Sequence, residues 1–204
     1  MSMPVATYQC TACELSCWDA GTWGYRYYVY EGAKLRLRAA MGWCPSCNDL
    51  SAVEVLPDAA GELLLQSKLQ AFQAELDVII AAAPKKRLWV FQPGKSTRQR
   101  CLEGEIELAA ESLAEYQLTR AALAARQSQA RCLRCGAEGC SLLPPHEVDY
   151  IGSDAPPVPI GFVHPGCGGQ ITIACDGMRL NVSLTDKAYD LEGRQVNEIA
   201  RSKP

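Results

Sequence analysis

Four short clusters of potential metal ligands punctuate this chain. Cys10-x2-Cys13 is followed after thirty residues by Cys44-x2-Cys47, and Cys132-x2-Cys135 after twenty-eight by His164-x2-Cys167. Each half adds a Cys just past its first pair, at Cys17 and Cys140. The second pairs agree in detail, Gly42-Trp43-Cys44-Pro45-Ser46-Cys47 against Phe162-Val163-His164-Pro165-Gly166-Cys167. Two residues between ligands let a tight turn aim both donor atoms at one ion, and two such turns complete a tetrahedron. The repeat predicts a duplicated small module; two copies are too few for a solenoid. Read in chain order, Cys10, Cys13, Cys44 and Cys47 form one site, and Cys132, Cys135, His164 and Cys167 a second.

At these residues the chain resembles the zinc-ribbon superfamily, whose rubredoxin-like knuckles clamp one zinc between two tight turns. The resemblance covers roughly residues 8 to 56 and 130 to 195. It implies two structural Zn2+ ions and β-hairpins between the knuckles. Tyr25 to Tyr30 and Lys34 to Arg38 alternate around Glu31-Gly32-Ala33, as do Gln170 to Ala174 and Met178 to Leu184 around Asp176-Gly177. Zinc ribbons serve many functions, so the resemblance implies a site and a fold without a task.

A redox pair is the rival for Trp43-Cys44-Pro45-Ser46-Cys47, but such a pair should open a helix. Residues 48–56 read as strand or turn instead. Cys17, Cys101, Cys140 and Cys175 are left over and read as small buried hydrophobes, with Cys140 and Cys175 as substitutes for a nominal ligand.

Composition narrows the class. With 48% hydrophobic and 21% charged residues over 204 positions, poverty of apolar side chains does not dictate disorder. No apolar run approaches the ~18 to 20 residues of a membrane-spanning helix. The opening MSMPVATYQC lacks the basic head and apolar stretch of a secretory signal. A cytoplasmic location is therefore expected, where thiols stay reduced and 11 Cys point to metal before disulfides. A net charge of −3 argues against a uniformly basic coat.

Between the knuckle-bearing segments the pattern changes to the helical period. Leu65, Leu69, Phe72, Leu76 and Ile79 mark one helix over 62–83. Leu102, Ile106, Ala109, Leu113, Tyr116 and Leu123 mark a second over 102–130. Their connection, 84–100, holds Lys85, Lys86, Arg87, Lys95, Arg98 and Arg100 without an acidic residue, with Trp89 and Phe91 among them. Gly94-Lys95-Ser96-Thr97 ends like a phosphate-binding loop, but the glycine required five residues earlier is Trp89.

The expected architecture is α+β: two small β zinc ribbons (1–58 and 131–204) linked by an antiparallel α-helical hairpin (59–130) with a basic tip at 84–100. Catalysis finds little support, because a catalytic zinc keeps an open position and both sites offer four ligands. His146 follows two prolines and reads as loop. The expected role is noncatalytic docking onto a protein partner, as an adaptor, assembly subunit or immunity-type inhibitor. The alternative is nucleic-acid binding, including a place in a nucleoprotein complex such as a CRISPR-type effector. No membrane and no small-molecule substrate are expected. The basic tip and the face carrying Arg26, Tyr28, Tyr30, Arg36 and Arg38 are the expected contact surfaces.

Overall fold

The computed structural model describes residues 2–82, 95–146, 156–175, 177–181 and 186–196. Its strands are β1 (Ser2–Pro4), β2 (Thr7–Cys10), β3 (Ser16–Trp18), β4 (Arg26–Tyr30), β5 (Ala33–Arg36), β6 (Arg38–Cys44) and β7 (Asp49–Val55). Helices α1 (Ala59–Ala82) and α2 (Thr97–Ala122) follow. The chain then forms β8 (Ser141–Leu142), β9 (Val158–Val163), β10 (Gln170–Ala174), β11 (Arg179–Asn181), β12 (Lys187–Tyr189) and β13 (Gln195–Val196). Two compact units result, one of Met1–Leu56 with Ala125–Pro204, the other of Pro57–Ala124.

Two successive ribbons joined by a helical linker are not what the chain builds. Among the described residues there are four sheets, and every one mixes strands from before and after the helices. β1 pairs with β11, β2 with β10, β12 runs parallel to β4, and β6 pairs with both β7 and β8. The physical reason lies in side-chain alternation. Tyr8 and Cys10 of β2 sit opposite Ile173 and Ile171 of β10, and all four are buried in one cluster with Met41, Trp43, Leu50, Leu143 and Ile160. Neither half holds enough apolar surface alone, so they share a core.

The hairpin expected around Glu31-Gly32 forms, with Tyr30 opposite Ala33. Glu31 and Gly32 both take positive φ, 48° and 81°, as a two-residue turn of matching twist requires. Among the described residues the hairpin expected around Gly177 does not form, because β10 joins β2 and β9 while β11 joins β1.

In the second unit, Asp58 caps α1 by accepting from the Gly61 N–H at 2.7 Å, and Ser96 caps α2 by accepting from Gln99 N–H at 3.1 Å. The helices pack against each other, antiparallel. Arg98 pairs with Glu75, while Arg120 pairs with Glu62, so one helix ascends as the other descends. Tyr116 reaches the Asp58 N–H through its hydroxyl at 2.9 Å.

Candidate metal centres

Three of the four knuckles are the tips of hairpins. Cys10–Cys13 joins β2 to β3, closed by Cys10 N–H to Leu15 O at 3.1 Å. Cys44–Cys47 joins β6 to β7, with Cys44 opposite Asp49. His164–Cys167 joins β9 to β10, closed by His164 N–H to Gly169 O at 2.7 Å. The fourth, Cys132–Cys135, is anchored by a bridge between Cys132 and Val53 of β7 and by Cys132 N–H to Ala137 O at 2.9 Å. In three of them the residue after the second ligand adopts the left-handed conformation: Asn48, Gly136 and Gly168, with φ 50°, 77° and 75°. Asn and Gly tolerate that conformation best, and it turns the chain out of the knuckle.

The sheet order then decides which knuckles meet. The β2–β10 pairing brings Cys10 and Cys13 to His164 and Cys167, and the β7 bridge brings Cys44 and Cys47 to Cys132 and Cys135. In each group the donor atoms lie within 4.8 Å of one another. All eight predicted donors are thus gathered into two groups of four, but each group takes one knuckle from either side of the helices. The partition read in chain order is replaced by this crossed one.

The separations fit a tetrahedral ion. Cys10 Sγ lies 3.3 Å from Cys167 Sγ, and His164 Nδ1 lies 3.1 Å from Cys167 Sγ and 3.4 Å from Cys13 Sγ. In the other group Cys44 Sγ is 3.6 Å from Cys135 Sγ, and Cys47 Sγ is 3.9 Å from Cys132 Sγ. Sulfurs at ~2.3 Å from one ion in a tetrahedron stand ~3.8 Å apart, whereas a disulfide needs ~2.05 Å. All eleven cysteines are free thiols. These clusters are compatible with zinc-binding knuckles.

Electrostatics argue the same way. Burial raises the Cys10 thiol, but the Ala12 N–H and the adjacent ligand atoms outweigh it and bring it down to about 6. Burial and the thiols of Cys135, Cys44 and Cys132 push Cys47 upward. Thiolates gathered this closely repel one another without a cation between them. Behind the donors, the Trp43 ring packs edge-on to His164 with centroids 4.6 Å apart. Gly169 fits only as glycine, because a Cβ there would stand 2.6 Å from Cys10 Sγ and 2.7 Å from Ala12 Cβ.

The remaining cysteines stay outside both groups. Cys17 and Cys175 pack against the shared core, where burial pushes the Cys17 thiol up to about 12. Cys140 is half-buried with Sγ 3.6 Å from Ala137 O, and Cys101 is exposed on α2. His146 holds the Tyr8 hydroxyl through Nε2 at 2.9 Å, and its Nδ1 lies 2.8 Å from Pro144 O.

The expected contact residues scatter. Lys85, Lys86, Arg87, Trp89 and Phe91 lie outside the described residues. Lys95 pairs with Glu103 at 2.8 Å and Arg98 with Glu75 at 2.7 Å, so helix carboxylates engage two of the tip's cations; Arg100 is exposed. Tyr28 is not on a surface at all. Its hydroxyl donates to Glu54 Oε1 at 2.5 Å, and Glu54 also receives both terminal nitrogens of Arg126 at 2.6 Å and the Arg131 N–H at 3.1 Å. Tyr30 is half-buried, whereas Arg26, Arg36 and Arg38 line one cleft. Sequence reasoning missed the Glu54–Arg126 pair, for which the charge pattern holds no signal.

No helix among the described residues is long and apolar enough to cross a membrane. Comparison of the chain with protein-family models, with curated proteins and with solved structures finds no match to any of the three.

Proposed function

We propose that this is a noncatalytic zinc protein that docks onto another protein. Each knuckle pair would hold one Zn2+, and four protein donors fill the ion's coordination shell with no position for a reacting water. The ions would supply folding energy to a unit whose halves are held together at those points.

The observation that carries the docking role is the surface of α1. None of its residues is buried, and it bears a second apolar stripe besides the one at Leu65, Leu69, Phe72 and Leu76. Leu63, Leu64, Ala71, Ala74 and Val78 form that stripe, with Leu64 70% and Val78 68% exposed. Their spacing of three, four and seven places them on one helical face. A stripe ~22 Å long from Leu63 to Val78, at ~1.5 Å per residue, is convex. A second copy's stripe, equally convex, would cover only part of it. An apolar groove wrapping the helix buries more, so the fitting occupant is a grooved protein partner.

A photo-crosslinking residue at Leu64, Ala71 or Val78 of the metal-loaded chain tests this in the native cell. The expected product is one discrete adduct with a different protein, abolished by Leu64→Lys with Val78→Lys. A chain dimer as the only adduct, or equal labelling from Gln73 on the polar side, overturns it. Nucleic-acid binding is the second reading, favoured by the three arginines that line one cleft.

A further inference from the structure

Of the cysteines outside the two clusters, one differs from the rest in its surroundings. Cys17 and Cys175 pack against the shared core, and Cys101 is exposed on α2. Cys140 instead borders the cluster of Cys44, Cys47, Cys132 and Cys135. Strand β8 pairs with β6 as Gly42 opposite Leu142 and Trp43 opposite Ser141. One step further along that register brings Cys140 opposite Cys44. Cross-strand neighbours share a face of the sheet, with Cβ atoms ~4.5–5.5 Å apart. Leu143 N–H donates to Met41 O at 3.0 Å, so by alternation Cys44 and Cys140 occupy a non-hydrogen-bonded position, where side chains come closer. The Cys140 thiol accordingly interacts with those of Cys44, Cys132 and Cys135.

The segment from 132 to 140 is shaped to deliver that thiol. The Ala137 carbonyl accepts the Cys132 N–H at 2.9 Å and lies 3.6 Å from Cys140 Sγ, so one oxygen ties the knuckle to the fifth sulfur. Gly136 and Gly139 take φ of 77° and 76°, and a Cβ at either would meet nothing within 4 Å. Glycine is needed at both for the left-handed backbone rather than for room. The two turns fold the chain back, so that Cys140, five positions after Cys135, returns to the donors.

The donors beside it are unequally protected. Cys44 and Cys132 are buried, Cys47 is half-buried and Cys135 is exposed. Cys135 is therefore the donor that an oxidant or electrophile in solvent meets first. A cysteine that only fills space lies against apolar side chains, whereas this one lies against thiols and a carbonyl oxygen. Zinc has no geometric preference from its d electrons and can pass through five-coordination. A thiol at this position can therefore enter the shell as another leaves it.

We infer that Cys140 is a reserve ligand of this centre, taking the vertex of Cys135 when that exposed sulfur is lost as a donor. On entry Cys140 gives its thiol proton to solvent and its sulfur bonds the ion, so the shell returns to four thiolates. The vertex within its reach is that of Cys135, which belongs to the same short segment. This rests on the reading of the clusters as zinc centres and is independent of docking through α1.

The test counts ions by native mass spectrometry on the zinc-loaded full chain. The native chain and Cys140→Ser should each carry two. Cys135→Ser should also carry two, and Cys135→Ser with Cys140→Ser should carry one. Cobalt in place of zinc reads the donors directly: the sulfur-to-cobalt charge-transfer band should keep its native intensity in Cys135→Ser. Labelling with N-ethylmaleimide gives a readout that does not need the double variant to fold. Cys140 should be labelled in the metal-loaded native chain and protected in metal-loaded Cys135→Ser. One ion in Cys135→Ser, two ions in the double variant, or equal labelling of Cys140 in the two chains overturns the inference. Fewer than two ions in the native chain would overturn the zinc reading itself, and the reserve ligand with it.

Discussion

The ring of Trp43 lies edge-on against that of His164, centroids 4.6 Å apart, although 121 positions separate them in the chain. Trp43 precedes Cys44, a donor of one cluster, and His164 is a donor of the other. One side chain therefore links the two centres through the shared core. Chelator titration with a zinc-sensitive dye should release both ions in a single transition from the native chain. In Trp43→Ala the release should split into two phases. Two phases already present in the native chain would show that the contact transmits nothing.

The crossed partition makes an unambiguous prediction for metal stoichiometry. Cys13→Ser with Cys167→Ser removes two donors from one cluster, so native mass spectrometry should find one ion retained. Cys13→Ser with Cys47→Ser strikes both clusters and should leave none. Partition in chain order predicts the reverse for the second variant, because there Cys13 and Cys47 would share a site.

Gly169 separates packing from ligation. Gly169→Ala drives a methyl into Cys10 Sγ and the Ala12 backbone. It should abolish the ion held by Cys10, Cys13, His164 and Cys167 while sparing the other. Gly104→Ala on α2 meets nothing within 4 Å and should stabilise the helix by about 1 kcal/mol, read from urea unfolding.

Glu54 is fully buried and saturated with donors. Glu54→Ala leaves Arg126 buried without its partner and should cost about 3–5 kcal/mol of stability. Arg126→Met with Glu54→Leu, removing both charges, should be much milder. Equal losses for the single and double variants would show that the pair is not coupled.

Burial and the adjacent Glu54 carboxylate raise the Tyr28 hydroxyl above its ordinary value of ~10. The folded chain thus holds that proton more tightly than the unfolded one. The resulting stability is complete below pH ~10 and is lost as pH climbs toward the folded value. Above pH ~10, stability should fall more steeply in the native chain than in Tyr28→Phe. Parallel curves would remove Tyr28 from the alkaline limb.

Residue spacing disclosed all eight donors and the two helical stretches, because ligand pairs and helix faces are local patterns. It did not disclose their assembly. Each x2 turn supplies half a site, and the order of half-sites along a chain does not say which two will meet. That choice rests on long-range strand pairing, Cys10 and Tyr8 against Ile171 and Ile173, whose alternation fits many partners equally well. Tyr28 failed as a surface residue for a similar reason. Alternation in Arg26–Tyr30 marks two faces without saying that Glu54 waits on one of them. The asparagine and glycines after Cys47, Cys135 and Cys167 were a readable sign of knuckle geometry, since those residues suit the left-handed backbone.

The crossed clusters also set an order of events during synthesis. Cys13 and His164 are 151 positions apart, which at about 5–20 residues per second is a wait of roughly 8 to 30 s. Between the emergence of Cys47 and that of Cys135, which follows 88 positions later, the only complete set of four knuckle thiols outside the ribosome is Cys10, Cys13, Cys44 and Cys47, the wrong quartet. An ion captured early must be surrendered when the second half of the chain emerges. The finished protein is then reached by ligand exchange, one knuckle replacing another on the metal, and the supply of ions in the cell becomes part of how this chain finds its shape.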